Sequence, residues 1–296
     1  MLDAAPRVSA EMDLIERVYG VDGYEYEALR ICHQGTDQWH EGRKGRLTAS
    51  NMSRLCRIPA YRSRATFLRY LLSPSSNIDH IPAIRMGREA EPYMRAYASY
   101  CHGSEFKETG LWICDANPFL GASPDGYCDK TGCILECKML SASAGMPLME
   151  YARTNPRGPL MMDTEMNCLT IRKAMVGTCS ITSSSEYIRQ RTHNFYYQIQ
   201  LQMMCTNTRQ CLFIITTLPQ IPSQTLTEDQ LACVHMEYIY YDERFISHMM
   251  DHVNSFCRYV LCPYISKCTR KEDLCDPENF DKIADYGIQR VKEGSV

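Results

Sequence analysis

The chain has 296 residues, of which 45% are hydrophobic and 23% charged, and its formal net charge is −3. That balance suits a globular protein with a large core, and the weakly acidic sum argues against a protein that coats nucleic acid with its whole surface. No run approaches the roughly 18 apolar residues of a membrane span, and Asp3, Glu11, Asp13 and Glu16 stand where an export signal would be basic and then apolar, so an intracellular protein without a membrane partner is expected.

The first elements are helical: residues 8–20 and 37–72 carry helical spacing with Ser, Thr or Asp at their starts. The second segment is also basic. Between Gly42 and Ile78 lie Arg43, Lys44, Arg46, Arg54, Arg57, Arg62, Arg64 and Arg69 and no acidic residue, enough to neutralise phosphates locally or simply to form a solvated face. Pro74 to Pro82 separates this part from the segments downstream. Residues 106–138 read as strands broken at Gly110, Gly121, Gly126 and Gly132. From 141 to 192 the pattern is weak and reads as an insertion; 194–207 and 243–261 read as helices, 211–218 and 234–241 as strands, and 270–296 as a charged, frayed tail. The expectation is one mixed α/β domain over 1–296. It divides into a helical basic part (1–75), a central helix with strands (76–140), the insertion (141–192), a closing section (193–269) and the tail. The sixteen cysteines show no C-x-x-C pair, so buried free thiols are expected for most.

The chemistry concentrates between Gly121 and Lys138. Gly121-Ala-Ser-Pro-Asp-Gly126 is followed by the turn-like Asp129-Lys-Thr-Gly132 and by Cys133-Ile-Leu-Glu-Cys-Lys138. Alternation along a strand puts Glu136 and Lys138 on one side and Cys137 on the other. If the hairpin closes symmetrically on that turn, residues whose numbers sum to 261 pair, and Asp125 faces Glu136. Like charges about 5 Å apart are unfavourable unless compensated. A divalent cation compensates them: the two carboxylates, the backbone carbonyl of Cys137 and waters form a hard oxygen site suited to Mg²⁺ or Mn²⁺, with Lys138 beside it to hold a water or meet a phosphate. The plainer alternative is an exposed hairpin whose Glu136 and Lys138 form a surface ion pair worth at most about 1 kcal/mol.

Upstream, Arg85-Met-Gly-Arg-Glu-Ala-Glu-Pro-Tyr-Met-Arg-Ala-Tyr97 offers two glutamates. Gly87, Ala90, Glu91, Met94, Tyr97, Ala98 and Cys101 share one helical stripe, whereas Glu89 lies about 200° round from Glu91. Glu91 is therefore the inward carboxylate. Pro92 marks a kink or a start of the helix there.

These pieces resemble the PD-(D/E)xK nucleases, and within them the group of lambda exonuclease, YqaJ recombinases and viral alkaline nucleases. Five matches fall in the family's order: Gln38-Trp-His-Glu-Gly-Arg-Lys-Gly-Arg-Leu-Thr-Ala-Ser50, Gly87-x-x-x-Glu91, Ser123-Pro-Asp-Gly126, Glu136-x-Lys138 and Tyr197-Gln-Ile-Gln200. The family usually follows its lysine with Cys-Pro; this chain has Met139-Leu140.

The resemblance implies a restriction-endonuclease-like α/β core: a central mixed sheet flanked by helices, with an N-terminal helical region. It implies that Asp125 and Glu136 bind the cation, that Glu91 serves it directly or through water, and that Lys138 positions the attacking water. It implies that Arg43, Ser50, Ser123 and Gln198 line a pocket for a 5′-phosphate, with Trp39 near the DNA. The basic Arg54, Arg57 and Arg62 are expected to meet the DNA backbone. The expected activity is 5′-to-3′ digestion of linear double-stranded DNA in recombination or replication-end processing. A homotrimer and a single-strand annealing protein are the partners implied, and a viral copy would work in the nucleus or cytoplasm of its host. The rivals are an endonuclease or DNA/RNA alkaline nuclease on the same fold, a non-catalytic DNA-binding module, and an iron–sulfur protein using Cys257, Cys262, Cys268 and Cys275.

Overall fold

The computed structural model describes residues 12–58, 64–73, 80–163, 166–173, 192–222 and 224–268. Its N-terminal part is helical, with α1 (Met12–Tyr19), α2 (Gly23–Ile31), α3 (Asp37–Arg43), α4 (Ala49–Cys56) and α5 (Ala65–Leu72). Side chains start two of these helices: Asp22 accepts from the Glu25 amide at 2.7 Å, and Thr36 from the Trp39 amide at 3.4 Å. Helical spacing over 37–72 gives way at β1 (Leu47–Thr48), which pairs in parallel with β3 (Leu120–Ala122). A two-residue strand leaves no alternation to read.

The long helix α6 (Pro82–His102) opens with Pro82 in its first turn and closes on Gly103 at φ 72°. Pro92 lies inside it, so the helix does not start there; having no N–H, Pro92 donates no intrahelical hydrogen bond of its own. Ala90, Met94, Tyr97 and Ala98 are buried as the stripe predicts. Cys101 is exposed, because the stripe reaches solvent in the last turn.

Two sheets come next. One has the order β1-β3-β2, with β2 at Trp112–Ile113. The other has the order β4-β5-β8-β9, from β4 (Gly126–Cys128), β5 (Cys133–Met139), β8 (Gln210–Thr216) and β9 (Val234–Tyr240). The β5–β8 pair is parallel and its neighbours are antiparallel, so the sheet is mixed. Gly121 and Gly126 sit in strands rather than breaking them. A Cβ on Gly126 would lie 3.1 Å from that of Phe106 and 3.3 Å from that of Leu135, so glycine is there for close packing.

Helices cover both faces. On one side Ile134, Cys211, Phe213 and Ile215 pack with α4, α8 (Asn194–Thr206) and α10 (Glu243–Phe256). On the other, Leu135, Cys137, Leu212 and Ile214 pack with α6. In chain order α9 (Glu228–Leu231) comes between α8 and α10, and α10 runs through a π turn (Cys257–Leu261) into α11 (Cys262–Ile265).

The segment read as a patternless insertion contains structure: α7 (Leu148–Thr154) and a hairpin of β6 (Leu160–Asp163) with β7 (Cys168–Ile171). Glu237 of β9 fastens the hairpin, accepting from the Ile171 amide at 2.5 Å and from Thr170 Oγ1 at 2.9 Å. The sequence hid it because Leu160-Met-Met-Asp163 lacks polar alternation. The rest of the insertion, 174–191, and the tail lie outside the described residues, as does Cys275 of the four-cysteine group; Cys257, Cys262 and Cys268 are buried. Among the described residues no helix is long and apolar enough to cross a membrane.

Candidate active site

The hairpin pairs Gly126 with Leu135, Tyr127 with Ile134 and Cys128 with Cys133, the register expected. Asp125 stands just before β4. Its amide donates to the Leu135 carbonyl at 3.0 Å, and its Oδ2 accepts from the Cys137 amide at 2.7 Å. Glu136 is fully buried and forms an ion pair through Oε1 with Lys138 Nζ. Glu91 reaches the same place from α6, whereas Glu89 is 68% exposed and lies 3.8 Å from Arg85, which settles the choice between the two glutamates. Arg95, one turn on from Glu91, donates to the Asp125 carbonyl at 2.6 Å and ties α6 to the hairpin. Sequence reasoning missed that contact.

The charges shift one another. Burial, Glu136 and Glu91 push the Asp125 carboxyl well above the ordinary carboxylate range. Burial also raises Glu91, with Lys138 opposing and Glu136 adding to the rise. Burial alone would lower the Lys138 ammonium, but Glu136, Asp125 and Glu91 outweigh it and hold the proton on. Lys138 is the cation that acts on all three carboxylates, and Arg95 and Arg88 act on Glu91 as well.

Gln198 was expected with the phosphate pocket; its Nε2 instead donates to Glu136 Oε1 at 2.6 Å. Gln202 Nε2, also at 2.6 Å, serves Glu136 Oε2. A polar stripe on a helix usually faces water. This one faces a buried carboxylate.

The other predicted residues gather around Trp39. Trp39 Nε1 donates to Ser123 Oγ at 2.9 Å, and the Arg43 guanidinium lies 4.1 Å from the Trp39 ring centre. Arg43 Nη2 reaches Thr48 Oγ1 at 3.4 Å, Thr48 meets Ser50 Oγ at 3.3 Å, and Asn51 Nδ2 donates to Thr48 Oγ1 at 3.1 Å. Thr48 is the N-cap residue of α4 but makes no side-chain cap bond, which leaves first-turn N–H groups of that helix unserved by it. Burial pushes the Arg43 guanidinium down to about 10, and no carboxylate stands among the groups that counter it. Thr48 and Asn51 are additions to the expected set. Between the two clusters, Gln34 Nε2 holds the chain by donating to the Pro124 carbonyl at 2.9 Å and to that of Thr109 at 3.0 Å.

The basic stretch divides. Arg46, counted among its surface charges, is 2% exposed and donates to the carbonyls of Gly42, Tyr19 and Pro118, so it holds chain segments together. Arg54 is exposed, its guanidinium 3.7 Å from the Tyr70 ring centre. Arg57 is half-buried and donates to the Thr192 carbonyl at 2.7 Å, and Arg62 lies outside the described residues. His193 caps α8, its Nδ1 accepting from the Phe195 amide at 3.3 Å.

No three His, Cys, Asp or Glu side chains among the described residues form a ready metal-ligand set. The oxygen set inferred from the sequence needs only two carboxylates. Leu135 offers its carbonyl toward Asp125, and alternate residues of a strand aim their carbonyls at the same edge, so that of Cys137 points past the beginning of β4 beside the two acids. Two carboxylates, a carbonyl and water fit a hard divalent cation.

Residues 38–158 match the YqaJ-like viral recombinase domain. The YqaJ-like segment contains both clusters from Trp39 to Lys138 and leaves Gln198 and Gln202 outside. No curated protein matches the chain. Among solved structures, an alkaline exonuclease (LHK-Exo) from Laribacter hongkongensis is similar at 20% identity and a TM-score of 0.50, over 78% of this chain and 97% of that one. A phage-related exonuclease from Haemophilus somnus 129PT is similar at 13% identity and 0.44, over 75% and 96%. KSHV SOX, in an RNA complex, is similar at 11% identity and 0.45, over 84% and 74%. The likeness to LHK-Exo is one of fold: a restriction-endonuclease-like core, its mixed sheet flanked by helices behind an N-terminal helical region.

Proposed function

We propose that the protein is a metal-dependent DNA exonuclease that digests linear duplex from 5′ to 3′ in recombination or replication-end processing. The observation that carries this reading is the gathering of the buried carboxylates of Asp125 and Glu136 with Glu91 beside Lys138. A binding module gains nothing from opposed carboxylates where a phosphate must lie. The name of LHK-Exo, an alkaline exonuclease, agrees with it.

Asp125, Glu136 and the Cys137 carbonyl would hold Mg²⁺ or Mn²⁺, with Glu91 binding directly or through water. When bound, the cation supplies positive charge against the scissile phosphate and acidifies a water. Lys138 keeps its proton, so its part is to donate: to the attacking water as an orienting hydrogen bond, or to a phosphate oxygen as charge. Arg43, the Ser50 and Ser123 hydroxyls and the first-turn amides of α4 form an anion site for the terminal 5′-phosphate. Because Ser123 Oγ accepts from Trp39, its own O–H stays free to donate.

The test is digestion of 5′-phosphorylated linear duplex and of a closed circle, with Mg²⁺ or with excess EDTA. The linear substrate should disappear only with metal, and the circle should survive. Full cleavage in EDTA would overturn the mechanism, and cutting of the circle the exonuclease assignment.

A further inference from the structure

The segment Gln198-Ile-Gln-Leu-Gln202 of α8 carries three glutamines with two tasks. Gln200 looks away from the acidic centre: its Nε2 donates to the Tyr240 carbonyl and its Oε1 accepts from the Asp242 amide, both at 2.9 Å. That fixes the helix against the junction of β9 and α10. Gln198 and Gln202 stand one turn apart on the other face, and each gives its amide to a different oxygen of Glu136.

Gln202 differs from Gln198 in being fully buried. Its Nε2 faces two groups that only accept, the Glu136 carboxylate and, at 3.4 Å, the Ser123 carbonyl, so nitrogen and not oxygen must point there. Its own Oε1 is then left buried with no hydrogen-bond partner among the described residues. An amide kept inside at that cost is explained by what its N–H groups hold, not by packing.

We infer that Gln202 is a positioning residue that turns Glu136 toward the divalent cation, an inference that rests on the nuclease reading above. Lys138 and Gln198 occupy both lone-pair directions of Oε1, and Gln202 takes one of the two on Oε2. By that count Oε2 keeps one lone pair with which Glu136 would bind the metal. Partners behind a metal ligand typically contribute about 10- to 100-fold in affinity.

The test is calorimetric titration of the full chain with Mn²⁺, for wild type and Gln202→Met, beside metal-dependent cleavage of linear duplex. The variant should bind Mn²⁺ about 10- to 100-fold more weakly. Its half-saturating metal concentration should rise while kcat at saturating metal stays near wild type, a rescue that a packing defect would not show. Gln202→Asn, whose amide is one methylene short of Glu136, should behave alike and serves if the methionine variant does not fold. Unchanged Mn²⁺ affinity in a folded variant, or cleavage lost at every metal concentration, overturns the inference. A wild type that binds no Mn²⁺ removes the nuclease reading, and this inference with it.

Discussion

Two neighbouring regions carry opposite imbalances. Around Trp39 a half-buried guanidinium lies against the indole ring and the Thr48 hydroxyl, with no carboxylate among the groups that counter its burial. Around Glu136 three carboxylates gather on Lys138, with Arg95 and Arg88 acting on Glu91 alone. Neither arrangement favours stability by itself, since buried charge is costly unless paired. An anion would complete the first and a cation the second, which is what the proposed 5′-phosphate and divalent metal would supply.

The comparison breaks most sharply at the acidic centre. Asp125→Ala or Glu136→Ala should lower cleavage by about 10³-fold or more with the far-ultraviolet circular dichroism unchanged. Residual activity near wild type in either variant would mean that the cation is held elsewhere. Next in size is the anion pocket. Charge-assisted hydrogen bonds contribute roughly 1.5–3 kcal/mol each, so wild type should digest 5′-phosphorylated ends about 10- to 100-fold faster than 5′-hydroxyl ends. Arg43→Ala should erase that preference and Arg43→Lys should not restore it, because an ammonium lacks the planar fork. Equal initial rates of wild type on the two ends would empty the pocket of its assigned ligand.

Smaller effects sharpen the contrast. Arg54 is exposed and braced on Tyr70, so Arg54→Ala should reduce the slope of log affinity against log salt by about 0.9, one phosphate contact, on any duplex sequence. An unchanged slope would make it a solvated residue. In metal-free protein the acidic centre should cost stability. The Asp125 carboxyl is raised in the folded state, so the native protein binds more protons than the unfolded chain between the ordinary aspartate range and the raised value. Stability therefore falls as pH rises through that window, and the full penalty is present above it. Asp125→Asn keeps an acceptor for the Cys137 amide and removes the charge. It should raise the melting temperature at neutral pH by about 2–4 °C, the shift that roughly 1 kcal/mol produces at this size, and leave it unchanged near about pH 3. A stabilisation that persists at low pH would have another origin.

How far each region could be read from the sequence depends on its local geometry. Alternation and a closed turn fix the placement of Asp125, Glu136 and Lys138, and helical phase separates Glu91 from Glu89, because both rules act over a few residues. The pocket was legible only in part. Arg43 and Ser123 come together through β1, two residues long and paired with a distant strand, and nothing local announces that. Arg46 and Arg54 look alike in sequence, yet one is buried among carbonyls and the other exposed; burial is decided by tertiary packing, which a charge count does not contain. Gln202 escaped for the same reason, since a polar helix face reads the same whether it meets water or a buried acid.

Ser123-Pro124-Asp125 joins the two regions covalently. Ser123 belongs to the pocket and Asp125 to the acidic centre. Between them Pro124 has a fixed φ, and its carbonyl is gripped by Gln34. Two residues of chain span at most about 7 Å, so the tripeptide keeps the backbone of the Trp39 cluster within that reach of the backbone of the acidic centre. On the proposed reading, with a 5′-phosphate in the first and the cut at the second, the expected products are mononucleotides, and longer products would mean that the strand end is held elsewhere.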